Sequence, residues 1–99
     1  MAEKKLVVVA VVKAKAGMEE KVRQECLALL APTRVEEGCF NYDLHNSTGD
    51  KTTFMFHETW AGKQALDKHL ATPHLKAFVQ KTENMLAAPL EVTMWEMII

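Results

Sequence analysis

The sequence predicts an α+β fold of the ferredoxin-like type, with a β-α-β-β-α-β order and helices on one face of an antiparallel sheet. Two observations support this class. Four segments are rich in β-branched and aromatic residues, and segments with helical spacing separate the first from the second and the third from the fourth. At 99 residues the chain is expected to form one domain, residues 1–99.

The first strand and the first helix are predicted from periodicity. Residues 6–12 are apolar on both alternating faces, which is typical of a strand that is covered on both sides. Helical spacing begins at Met18, and this helix is expected to end within residues 32–37, with Gly38 as the turn. The apolar positions of the helix are Val22, Cys26, Leu29 and Leu30.

A hairpin is predicted next. Residues 39–45 alternate, residues 46–50 are turn formers, and residues 52–60 are rich in Thr, Phe and Trp. One face of the first hairpin strand is expected to carry Phe40, Tyr42 and Leu44. One face of the second is expected to carry Phe54, Phe56, Glu58 and Trp60.

The last three predicted elements are two helices and a strand. Residues 61–70 contain good helix formers, and Thr72 and Pro73 are typical of an N-cap followed by proline at the first helical position. The helix that begins there is expected to continue until Pro89, and residues 90–99 are predicted to form the last strand. The side of this helix that is expected to face the core carries Leu75, Phe78, Val79, Thr82 and Leu86.

A homodimer is expected from the distribution of apolar residues. The chain is 48% hydrophobic, and its predicted strands carry apolar residues on both faces although helices can cover only one. The bare face is therefore expected to pack against the same face of a second copy, forming a dimeric α+β barrel.

Charge and hydropathy argue against two classes of partner. The net charge of −1 and the pI of about 6.4 give no basic field for nucleic acid. The longest apolar run, residues 6–12, is far shorter than the roughly 20 residues of a membrane-spanning helix. We therefore expect no nucleic-acid partner, no membrane partner and a cytoplasmic location.

Three motifs carry a family resemblance: Glu37-Gly38-Cys39-x-x-Tyr42, Glu58-x-Trp60 and Ala65-Leu66-x-x-His69-Leu70-x-Thr72-Pro73-His74-x-Lys76. With the predicted element order, they resemble the antibiotic biosynthesis monooxygenase family of dimeric α+β barrels, in particular its quinol monooxygenases. The resemblance implies a cofactor-independent monooxygenase, with a quinol or related small aromatic compound and dioxygen as substrates.

The candidate site residues supply a base and an aromatic pocket. A hydroquinone can give an electron to dioxygen once it is deprotonated, which requires a base in a dry pocket. The catalytic candidates are His69, His74 and Glu58, expected to converge with Trp60 on one cleft. His69 lies on the apolar side of its helix, so a hydrogen-bonded core histidine is the other interpretation. The substrate-binding candidates are Trp60, Phe54, Phe56 and Tyr42.

Neither a metal nor another cofactor is expected. His69 and His74 are five positions apart with a proline between them, and the sequence places no third ligand. The haem-degrading relatives carry an asparagine on the first strand where this chain has Ala10. The two cysteines lack zinc-ligand spacing, and no nucleotide or flavin pattern is present.

Two other functions remain open from the sequence. One is an isomerase of a small, possibly phosphorylated, carbonyl compound, because the same base would serve it. A phosphorylated substrate would call for cations beside the base, and Lys76 is the cation nearest to the motifs. The other is a dimeric small-molecule-binding or stress-response protein without turnover.

Overall fold

The computed structural model describes residues 4–99, so the predicted domain start at residue 1 lies outside the described residues. The four strands form one antiparallel sheet in the order β2-β3-β1-β4, which confirms the predicted ferredoxin-like α+β fold. In chain order the elements are β1 (Leu6–Lys13), α1 (Glu19–Ala28), α2 (Leu30–Arg34), β2 (Cys39–Asn46), β3 (Thr53–Trp60), α3 (Lys63–Leu70), α4 (Pro73–Thr82) and β4 (Glu91–Glu96).

The hydrophobic core lies between the helices and one face of the sheet, called here the inner face. On β1 this face carries Val8 and Val12, each 1% exposed. The helices contribute the buried side chains of Val22, Leu66 and Phe78 to the same cluster. Apolar burial of this kind is the main favourable term in folding, so the inner face fixes how the helices sit on the sheet.

The first helical region contains two helices instead of the single one predicted. Helix α1 ends at Ala28, and α2 begins at Leu30. Pro32 explains the break, because a proline inside a continuous helix would clash with the carbonyl four residues earlier, that of Ala28. No helix within residues 4–99 is long and apolar enough to cross a membrane.

The helix predicted to continue until Pro89 ends at Thr82. The prediction of Leu86 on the core-facing side of this helix is wrong, since this residue forms an isolated bridge with Ala14 at the end of β1. Backbone hydrogen bonds from Lys15 N to Met85 O and from Ala87 N to Lys13 O, both 2.8 Å, hold the bridge. Pairing with the sheet therefore replaces the last helical turn. The last strand is also shorter than predicted and ends at Glu96.

A β-bulge changes the faces of β2. Cys39 lies opposite Trp60, but Asn41 lies opposite Thr59, so Phe40 is an extra residue between the two pairs. The prediction that Phe40 shares a face with Tyr42 is therefore wrong. Cys39 packs against the core instead, and Phe40 is 57% exposed.

The opposite face of the sheet, called here the outer face, is not covered by the helices. Its valines on β1 are Val7, Val9 and Val11, which are half-buried. The residues paired with them on β4 include Trp95, which lies opposite Val7 and is 58% exposed. The outer face thus presents an apolar surface at the centre of the sheet.

Candidate active site

A cavity of about 720 Å³ lies between the inner face of the sheet and helices α3 and α4. Its floor is formed by Val8, Ala10 and Val12 of β1. It opens between α4 and β4, where Val79 and Val92 are 48% and 47% exposed. Most of the lining is aliphatic or aromatic, and the polar side chains in it are Tyr42, Glu58, His69, Lys76 and Gln80.

Glu58 is the buried carboxyl of this cavity. The alternation of β3 places it on the inner face, opposite Val8 of β1 and Tyr42 of β2, and it is 4% exposed. Trp60 Nε1 donates a hydrogen bond of 2.9 Å to Glu58 Oε1. Burial raises the pKa of Glu58 to about 7, against the opposing effect of the Trp60 hydrogen bond and with a smaller contribution from the charge of Glu36. Near neutral pH this group can therefore both take up and release a proton.

The aromatic candidates have different positions. Tyr42 and Phe56 line the cavity and stack with a centroid distance of 4.9 Å. Trp60 is 0% exposed and is not among the lining residues, so it contacts the site from within the core, through the hydrogen bond to Glu58 and through the ring of His69. Phe54 is also buried and lies beside a separate depression near the hairpin.

His69 connects the cavity to a carboxylate that lies outside it. Its imidazole lines the cavity, and Nδ1 lies 2.8 Å from Oε2 of Glu36. The ring packs against Trp60 at a centroid distance of 4.7 Å. Burial lowers the pKa of His69, although the hydrogen bond and charge of Glu36 act in the opposite direction. Burial therefore favours the neutral form of the His69 imidazole.

His74 does not line the cavity. The turn before α4 is set by Thr72, whose side chain accepts a hydrogen bond from Leu75 N, and by Pro73 at the first helical position. From there His74 Nε2 reaches Oε2 of Glu36 at 2.7 Å, the same oxygen that His69 contacts. The structure therefore brings Glu58, Trp60 and His69 together and places His74 behind them, beyond Glu36.

Glu36 is the residue of this site that the sequence analysis did not identify. It lies in the loop between α2 and β2, separated by 33 positions from His69 and by 38 from His74. Gly38 explains why the loop approaches α3 so closely. Its φ is +84°, and a Cβ there would lie 2.7 Å from Cβ of Ala65. The glycine was the one signal in the sequence for this contact.

Glu36, His69 and His74 also form a group of three possible metal ligands, with ligand atoms that lie within 4.8 Å of one another. Two histidines and one carboxylate are a donor set that transition metals use. The prediction of no metal depended on the lack of a third ligand near the two histidines. The structure supplies Glu36 as a candidate for that ligand. Both nitrogen-to-oxygen distances, 2.8 and 2.7 Å, are those of N–H···O hydrogen bonds, which account for the contacts without an ion.

Cations are sparse around the cavity. Lys76 lines it and is exposed at its rim. Arg23 and Arg34 instead border a separate depression, where Arg34 donates to Tyr42 O at 3.0 Å and pairs with Asp43 at 3.1 Å. The cavity therefore lacks the paired guanidinium groups that typically bind a phosphate.

A ferredoxin-like domain with an apolar cavity, a buried protonatable carboxyl and a histidine has the features that are typical of a small-molecule site. The family model described as antibiotic biosynthesis monooxygenase matches residues 5–81. The chain belongs to the antibiotic biosynthesis monooxygenase family, which the sequence motifs indicated.

Individual relatives agree with this assignment. The chain is 35% identical over 92 residues to YcnE of Bacillus subtilis, which is named as a candidate monooxygenase, and the match covers 93% of this chain and 97% of that protein. It is 30% identical over 95 residues to the uncharacterized protein sll1783 of Synechocystis, covering 96% of this chain and 65% of that longer relative. The crystal structure of PA3566 from Pseudomonas aeruginosa superimposes with a TM-score of 0.94 at 30% identity, covering 100% and 99% of the two chains.

Proposed function

We propose that the protein is a cofactor-independent monooxygenase that acts on a quinol or a related small aromatic compound. The observation that carries this proposal is Glu58, a carboxyl with a pKa of about 7 in a cavity that is otherwise mainly apolar. A volume of about 720 Å³ is within the range of small-molecule sites and is large enough for a compound of one to three fused rings.

In the proposed reaction Glu58 takes a hydroxyl proton from the bound quinol. The resulting anion is electron-rich and gives electrons to dioxygen directly. One oxygen atom then enters the product and the other leaves as water, with both reducing electrons drawn from the substrate. The protein's tasks are to bind the ring, remove the proton and exclude water. The stacked pair of Tyr42 and Phe56 supports the first task, because it offers an aromatic wall to a flat ring.

The homodimer is part of the same proposal. The half-buried valines of the outer face and the exposed Trp95 form an apolar surface at the sheet centre, where no helix packs. A second copy with the same surface is the simplest cover for it. Sedimentation at micromolar concentration is expected to give twice the 11.2 kDa of the chain.

Oxygen uptake with a panel of substituted hydroquinones tests the activity. Purified protein is expected to consume oxygen with at least one of them, and the rate is expected to be the same after dialysis against a chelator. Monophenols of similar size serve as controls for the requirement of two hydroxyl groups, and catechols as controls for their para arrangement. Absence of oxygen uptake with every compound would refute the proposed reaction, and a rate restored by an added metal would refute cofactor independence.

An isomerase of a small carbonyl compound is the second candidate, because Glu58 could move a proton in that reaction as well. The exposed Lys76 favours it only for a monoanionic or phosphorylated substrate. Turnover that continues without oxygen would identify the isomerase. Tight binding without turnover under either condition would instead identify the non-catalytic binding protein.

A further inference from the structure

The carboxylate of Glu36 contacts two imidazoles through one oxygen. Oε2 lies 2.8 Å from Nδ1 of His69 and 2.7 Å from Nε2 of His74. An ionised carboxylate has only acceptor positions, so each of these nitrogens must carry a hydrogen. A neutral imidazole has one N–H, and the neutral form is the one that suits the position of His69, which is 2% exposed. The hydrogen of His69 is therefore on Nδ1, and Nε2 has the free lone pair.

The free nitrogen of His69 is not enclosed in the core. Within residues 4–99 Nε2 has no hydrogen-bond partner. Among the polar side-chain atoms of these residues, only Oγ1 of Thr33 both lacks a partner and is fully enclosed. Nε2 of His69 is therefore not fully enclosed. Since the ring of His69 lines the cavity, Nε2 is accessible from it.

Aromatic side chains pack against the imidazole of His69 on two sides. Trp60 lies against the imidazole at 4.7 Å, and Tyr42 contacts its edge at 5.4 Å. The ionisable groups around the ring come from four segments of the fold. They are Glu36 of the loop before β2, Tyr42 of β2, Glu58 of β3 and His74 of α4.

We propose that Glu36 is a positioning residue that fixes His69 in the tautomer with an unprotonated Nε2 at the cavity, and that His74 anchors Glu36 through the second hydrogen bond. The consequence for turnover rests on the proposed function. A quinol has two hydroxyl groups, and the cavity then offers two acceptors, Glu58 and Nε2 of His69. When Nε2 accepts a proton, the substrate O–H bond breaks, an N–H bond forms, and Glu36 stabilises the imidazolium.

Nuclear magnetic resonance of ¹⁵N-histidine-labelled protein tests the tautomer without any substrate. Two-bond ¹H–¹⁵N correlation spectra distinguish a protonated Nδ1 from a protonated Nε2, and a His69→Gln variant assigns the signals. We expect His69 to carry its hydrogen on Nδ1 in the wild type. A hydrogen on Nε2 of His69 in the wild type would overturn the proposal.

Variants of the loop before β2 test the cause. In Glu36→Ala the preference should be lost and both tautomers populated. Glu36→Gln should restore the wild-type tautomer, because an amide oxygen can still accept the hydrogen bond. Glu37→Ala is the matched control, since the neighbouring carboxylate is exposed and its removal should change nothing. An unaltered tautomer in folded Glu36→Ala would overturn the role of Glu36.

A metal at this cluster would also be visible, because it would bind Nδ1 of His69 and displace its hydrogen. Spectra before and after dialysis against a chelator are expected to be identical. A chelator-dependent change in the signals of both His69 and His74 would show that the cluster holds a metal and would overturn the proposal.

Kinetics separate the two proposals. With an active quinol, Glu36→Ala is expected to lower kcat at least about 10-fold with little change in KM, and Glu36→Gln to lose less. If the wild type oxidises no quinol, the proposed function fails, whereas the spectra still decide the tautomer of His69. An active quinol with an unchanged kcat in folded Glu36→Ala would overturn the role in turnover.

Discussion

The two faces of the sheet differ in how far they bury polar groups and in how many hydrogen-bond partners these groups have. On the inner face of β3, Phe54, Phe56, Glu58 and Trp60 are at most 4% exposed. On the outer face of the same strand every residue is half-buried, and the polar groups have several partners there. The amide of Asn41, for example, donates to the backbone oxygen of His57 at 2.9 Å and to Asp43 at 3.1 Å.

The difference explains why the pKa of Glu58 on the inner face is raised. A charged group there has lost water and has few donors to replace it, so its neutral form gains in stability. Glu58 has one donor within the described residues, Trp60. A polar group on the outer face instead has neighbouring donors and acceptors with which it forms hydrogen bonds. Matched substitutions on the two faces can test this contrast.

The largest expected effect comes from a new charge on β1. Val8→Glu would place a carboxylate in the core, where Val8 is 1% exposed, and is expected to cost on the order of 4 kcal/mol and to prevent folding. Val9→Glu puts the same group on the half-buried outer face and is expected to leave the fold intact but to prevent the proposed dimer from forming. Circular dichroism and sedimentation measure the two results. A dimeric Val9→Glu variant would exclude the outer face as the interface.

The next effect concerns catalysis by Glu58. Glu58→Gln keeps the shape and removes the base, so quinol oxidation should fall by about 10² to 10⁴ while the fold is retained. Glu91→Gln is the same change on an exposed residue of the outer face, opposite Val11, and should leave the rate unaltered. Equal rates in the two variants would show that Glu58 is not the base.

The stability of the protein should depend on the charge of Glu58. Its pKa is about 7 in the folded state against an ordinary value of 4.5, so the folded state binds more protons between these values. Stability contributed by this group is therefore present below about pH 4.5 and is lost as pH rises to about 7, by up to roughly 3 kcal/mol. Urea unfolding of wild type and Glu58→Gln at pH 5 and pH 8 measures it. The stability of wild type relative to Glu58→Gln should decrease as pH rises. If the stabilities of the two proteins changed with pH in parallel, the raised pKa of Glu58 would be contradicted.

The sequence predicted the fold because its elements follow local rules. Alternation identified the strands, and Thr72 and Pro73 marked the start of α4. The sequence also predicted that Glu58 and Trp60 share a face, because residues two positions apart on a strand point to the same side of the sheet. Two of the errors have non-local causes. The bulge at Phe40 depends on pairing with β3, and the pairing of residues 85–87 with β1 ended α4 early.

The candidate site was predicted less completely for the same reason. Glu36 meets His69 and His74 through contacts across more than thirty positions, and no periodicity connects them. The sequence indicated two histidines near one turn, but it did not indicate the carboxylate of Glu36 that contacts both of them. Nor could it show that Trp60 is fully buried and acts on Glu58 rather than lining the cavity.

The smallest expected effect is a shift in the pH dependence of the rate. The charged form of Glu58 is the proposed base, so kcat/KM should rise with pH through about 7. Trp60→Phe removes the donor that stabilises this charge, so the pKa of Glu58 and the midpoint of the rate profile should both move upward, by about one unit. Trp95→Phe removes a similar indole, which on the outer face donates to Oγ1 of Thr93 at 2.9 Å, and should leave the midpoint in place. Equal midpoints in wild type and both variants would mean that the Trp60 hydrogen bond does not tune the base, whereas a shift confined to Trp60→Phe would place the tuning on the inner face.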